Sequence, residues 1–219
     1  MRGRLGARGA RAGWSLVELA IGMSLLGIAF LLSVAGFEAT GQELSASQLQ
    51  DATQAQAQRA AQRVTRELLS AGVSVMVPSA TGDFGTEEMD FRQATGLEAG
   101  VIAWSEPMRV QLEYDPGELD DGLDNDGDGL ADEGRLVLLR NADSDEEERV
   151  VLCHDVREFL EGETLDGEDD NGNGVVDERG FNLHWENGVL WLRLSLERTN
   201  ALGQRALATV ESAVDVRNP

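Results

Sequence analysis

The sequence has no lysine. Its 18 basic residues are all arginine, set against 40 acidic ones, and the formal net charge is −22. So acidic a chain argues against nucleic acid as a partner, because phosphates need cations, and against attachment to anionic lipid by charge. It favours solubility and divalent cations. A single cysteine, Cys153, permits no intrachain disulfide. A folded domain must then be held by its core, by assembly or by metal. Within Val-Val-Leu-Cys, Cys153 reads as a small buried hydrophobe in a strand. Proline is absent from Phe37 to Ser70, so nothing there breaks a helix.

Catalytic patterns are missing as well. There is no Gly-rich phosphate loop, no Gly-x-Ser-x-Gly and no His-Glu-x-x-His. Cys153 and His154 are adjacent, and adjacent side chains on a strand point to opposite faces, so they cannot form a nucleophile–base pair. His184 reads as a strand position. These three soft ligands lack the spacing of a zinc site. An enzyme is not expected.

What is present begins at Gly13. From there to Phe37 the chain is apolar apart from small or hydroxyl residues and one carboxylate, Glu18. About 20 residues at 1.5 Å each cross a hydrocarbon core of ~30 Å, so residues 14–37 suffice for a transmembrane helix. A short leader precedes it, residues 1–13, with Arg2, Arg4, Arg8 and Arg11 and no acid. A carboxylate in a membrane span costs roughly 2.5–3.5 kcal/mol at mid-bilayer and usually has a partner or a task. If the chain were cut after Gly13, the new α-amine of Trp14 could be neutralised by Glu18 of a neighbouring subunit, which would fix the axial stagger between them. An ordinary secretory signal has a shorter apolar region followed by small residues.

The stretch resembles the cleavage and methylation signal of type IV pilins and type II secretion pseudopilins. The resemblance implies cutting by a prepilin peptidase between Gly13 and Trp14, methylation of the new N-terminus, and Glu18 as the fifth mature residue directing assembly. One departure is Trp14, where the family usually has Phe.

Residues 14–72 read as one helix, because the run from Phe37 to Ser70 is rich in Ala, Gln and Glu. Gly36 and Gly41 are its weak points and Gly72 its stop. Residues 73–219 read as a β-rich domain. Val73, Val75 and Val77 alternate, and residues 84–100 look irregular. Further strands are expected at Val101–Trp104, Met108–Tyr114, Leu136–Arg140 and Arg149–Cys153. A hairpin joins Phe181–Trp185 to Val189–Glu197, and Arg205–Arg217 closes the chain. The expected class is α+β, a long N-terminal helix packed on a C-terminal antiparallel sheet. Arg66-Glu67-Leu68-Leu69 and the closing Val214-Asp215-Val216-Arg217-Asn218 are similar to J-type pseudopilins and W-type minor pilins, which implies a tip or initiation subunit.

Two acidic loops, residues 121–133 and 166–178, match at a spacing of 45 residues. Oxygen ligands recur at every second position: Asp124, Asp126 and Asp128, then Asp169, Asn171 and Asn173. Gly129 and Gly174 follow, where a calcium loop must turn sharply. Leu130 and Val175 supply a backbone carbonyl and an apolar anchor, and Asp132 and Asp177 occupy the ninth position. This is the first half of an EF-hand loop. The second half departs, with Arg135 and Gly180 where a bidentate Glu belongs. Glu133 and Glu178, or Asp121 and Asp166 upstream, are candidates to complete each shell. The loops look like those of thrombospondin type 3 repeats and dockerins, and two calcium sites are expected, the first tighter because it carries more aspartates.

The expectation is a minor pilin or pseudopilin. It would be a single-pass protein of the inner membrane with its β-domain in the periplasm, and its partners prepilin peptidase and other pilin subunits. The alternative is a membrane-anchored or secreted calcium-dependent binding module.

Overall fold

The computed structural model describes residues 15–216 and 218. The leader, Gly13 and Trp14 lie outside the described residues. The chain divides into two units at the boundary between Ser45 and Ala46. One helix, α1 (Leu16–Leu69, 54 residues), contributes to both.

In the first unit, Leu16–Val34 has a mean hydropathy of 2.2 and none of it is buried. It is long and apolar enough to cross a membrane. Its hydroxyls are turned inward: Ser24 and Ser33 donate to the carbonyls of Ala20 and Ala29 at 2.9 Å, which suits an apolar medium. The helix start is a capping box. Ser15 N–H donates to Glu18 Oε2 at 2.9 Å and Glu18 N–H to Ser15 Oγ at 3.1 Å, satisfying two donors the first turn leaves open.

In the second unit α1 buries Thr53, Ala57, Ala60, Ala61, Val64 and Leu68. The spacing of three and four places them on one face, and their small size lets the helix lie close to a sheet. That sheet comprises β1 (Glu88–Phe91), β4 (Met108–Tyr114), β5 (Gly134–Arg140), β6 (Glu148–Val156), β7 (Phe181–Glu186), β8 (Val189–Thr199) and β9 (Arg205–Val214). The order is β1-β4-β5-β6-β8-β7, with β9 also paired to β8. All these pairings are antiparallel. A separate hairpin joins β2 (Ala94–Glu98) to β3 (Val101–Trp104). Leu190, Leu192, Leu194 and Leu196 of β8 meet Leu136, Leu138, Phe181 and the helix stripe in one core. Each fully buried leucine contributes about 1.5–3 kcal/mol. The α+β expectation holds.

Two local expectations are corrected. Val73–Val75 is a 3-10 turn, because bridges Ala71–Gln93 and Gly72–Asn218 pin the chain just ahead of it. Residues 84–100 are not irregular: they hold β1 and β2. In β1 only four residues alternate, with Met89 and Phe91 buried and Asp90 turned to Arg109 at 2.6 Å.

β8 is buried on both faces. Arg193 and Ser195, opposite the leucines, are also shut from water. Ser195 donates its N–H to Gly180 O at 2.7 Å and accepts Arg157 N–H through its carbonyl at 3.0 Å. The chain around the second acidic loop covers this face.

Candidate metal centre

The two acidic segments adopt the same backbone. Positive φ occurs at Gly127 and Gly172 (84° and 76°), at Gly129 and Gly174 (95° and 87°), and at Asp132 and Asp177 (53° and 48°). Left-handed φ suits glycine and is tolerated by Asp. The side-chain caps match as well. Asp124 accepts Gly127 N–H at 2.6 Å and Gly129 N–H at 2.9 Å, and Asp169 accepts Gly172 N–H at 2.7 Å and Gly174 N–H at 2.8 Å. Asp128 and Asn173 each accept the N–H two residues on, at 2.9 Å. Leu130 and Val175 are buried anchors.

The ninth-position residues close each loop at its base. Asp132 accepts the N–H of Asp121 and Gly122, and Asp177 those of Asp166 and Gly167. Asp121 and Asp166 turn to the N–H groups of Leu123 and Glu168 and are not among the acids that converge.

The convergence includes a residue not singled out in the sequence. Glu118, Asp126 and Glu133 bring carboxylate oxygens within 4.8 Å of one another, and Asp124, Asp126 and Asp128 form a second, exposed group. Glu118 lies upstream of the loop and turns back into it. It accepts Asn125 and Asp126 N–H through Oε1 and Asp132 N–H through Oε2. Glu163, 45 residues later, accepts Asn171 N–H in the same way. The signal was present, since a Gly-Glu pair precedes both loops at the same distance (Gly117-Glu118 and Gly162-Glu163).

Glu133 is 3% exposed, and its Oε2 has no hydrogen-bond partner among the described residues. Burial, with Asp128, Glu118 and Asp126 beside it, pushes its carboxyl up to about 7. A buried carboxylate oxygen without a donor is costly, and a cation at the convergence would satisfy it. In the second loop the corresponding Glu178 has partners: Arg193 Nη1 at 2.9 Å and Asn173 Nδ2 at 2.9 Å. Burial pushes Glu178 up also, against the pull of Asn173 and Arg193. The orphan there is Oε2 of Glu163. Glu133 and Glu163 line one cleft of about 430 Å³, with Leu130, Glu158, Glu197 and Arg205. These acidic clusters have the donor set of a hard divalent cation: oxygen ligands, several charged.

Cys153 is buried, and burial pushes its thiol up to about 12. His154 contacts Asp115 at 2.9 Å and His184 contacts Thr81 at 3.2 Å. Comparison with protein-family models, curated proteins and solved structures gave no match.

Proposed function

We propose that this chain is a minor pilin or pseudopilin, a structural subunit built into a type IV pilus or type II secretion pseudopilus. The observation that carries the reading is α1. One helix begins with an exposed apolar span at Leu16–Val34 and ends as a buried stripe against an antiparallel sheet. Just ahead of it lie a basic leader and Gly13, and Glu18 stands near its start. A membrane-held subunit that is later packed into a fibre needs such a helix. Lipid covers the apolar half first, and neighbouring helices cover it afterwards.

In this reading prepilin peptidase cuts after Gly13. Glu18 then exchanges its own capping partner, Ser15, for the free amine of Trp14 in an adjacent subunit. The β-domain faces the periplasm, and calcium holds its acidic loops. Calcium is favoured over zinc because the converging ligands are all oxygens. Glu18→Gln tests the assembly step. The variant should be cleaved and remain in the membrane but be lost from the sheared fibre fraction and from co-purified pilin-type subunits. A Glu18→Gln chain recovered in fibres at the parental level would contradict the reading.

A further inference from the structure

Resting on the calcium reading above, we infer that the two loops are unequal by construction. The first is a full cation site completed by the buried pair Glu118 and Glu133. The second is a weakened one in which Arg193 serves as a built-in cation for Glu178.

The loops share their backbone and caps, so the contrast lies in charge. In the first, Glu118, Asp124, Asp126, Asp128 and Glu133 are all acids; in the second, the corresponding residues are Glu163, Asp169, Asn171, Asn173 and Glu178. Two carboxylates have become neutral amides. Among the converging acids of the first loop, Glu133 keeps an unpartnered buried oxygen, and its carboxylate comes within 4.8 Å of those of Glu118 and Asp126. At the matching place in the second, the Arg193 guanidinium sits against Glu178 at 2.9 Å, with 5% and 0% of the two residues exposed. Asn171 and Asn173 also turn their amide N–H groups to Glu178. Arg193 is positioned by its cross-strand partner in β9, Glu211, at 2.8 Å. A divalent ion entering the second loop meets fewer charges and a fixed positive group nearby. Ligand charge count sets calcium affinity over several orders of magnitude.

Glu118 also answers why the first loop needs no acid at its twelfth position, where Arg135 stands. The missing carboxylate arrives from the N-terminal side. It is preorganised by three backbone N–H groups.

Calorimetric titration of the detergent-solubilised full chain with calcium chloride tests this. Two steps are expected, the first tighter by about tenfold or more. Glu133→Gln should remove the tight step and leave the weak one. Asp126→Asn, at an exposed position, should do the same without touching the core. Arg193→Met should tighten the weak step severalfold and leave the tight one in place. One affinity for both loops, a tight step that survives both Glu133→Gln and Asp126→Asn, or a weak step unmoved by Arg193→Met would overturn the inference while leaving calcium binding intact. No heat at millimolar calcium would overturn calcium binding itself.

Discussion

The Arg193 guanidinium donates to Glu178 at 2.9 Å beneath the second acidic loop, with both side chains closed to water. A buried pair is hard to break from one side. Removing Arg193 leaves a carboxylate uncompensated, which typically costs about 3–5 kcal/mol. Arg193→Met should therefore lose about that much stability in chelator, read by denaturant unfolding. Saturating calcium should restore a large part, because the ion supplies the missing charge. A loss that calcium does not reduce would mean that Arg193 acts through packing alone.

The first loop should make stability depend on pH. Glu133 is held at about 7 against an ordinary 4.5. The folded state thus binds this proton more tightly than the unfolded state. The contribution is fully present below the unfolded value and is lost as pH rises through the folded one. In chelator, the melting temperature of the parent chain should fall relative to Glu133→Gln between about pH 5 and pH 8. Calcium, which takes the ionised form, should reverse that trend. Parallel curves for the two chains in chelator would show that Glu133 does not titrate in this range.

Gly180 marks the tightest backbone approach in the loop region. A Cβ there would stand 1.9 Å from the carbonyl oxygen of Arg157. Gly180 O also receives Ser195 N–H at 2.7 Å, so the strand cannot simply back away. Gly180→Ala should destabilise by about 1–3 kcal/mol or more, as overpacking does. It should also weaken the second loop's calcium step, since Glu178 lies two residues before it. A variant with parental melting temperature would show that the segment relaxes freely.

Much of this architecture was legible in the residues. The helix was, because Ala, Gln and Glu run without proline to Leu69. The strands Met108–Tyr114 and Leu190–Leu196 were, because their alternation is long. β1 was not, since Glu88–Phe91 offers only two buried positions and its acids look like loop. Val73, Val75 and Val77 showed the opposite fault: three alternating valines suggested a strand, but the first two lie in a turn and only Val77 pairs, antiparallel to Asp90. At the metal centre the repeat announced the loops, the apolar anchors and Glu133. Glu118 left only a faint trace, the Gly-Glu pair repeated ahead of both loops, because its approach depends on the fold-back at Gly117. Arg193 was not legible, an arginine in a leucine-rich strand that became intelligible only when the second loop was seen to cover it.

The central claim concerns the N-terminus, and the intact mass and N-terminal sequence of the membrane-extracted protein test it most directly, with and without a co-expressed prepilin peptidase. The account predicts a peptidase-dependent start at Trp14 carrying one added methyl group. A start at Met1 in both samples, or a cut beyond Phe37, would contradict it. The chain would then be an anchored or secreted calcium-binding module.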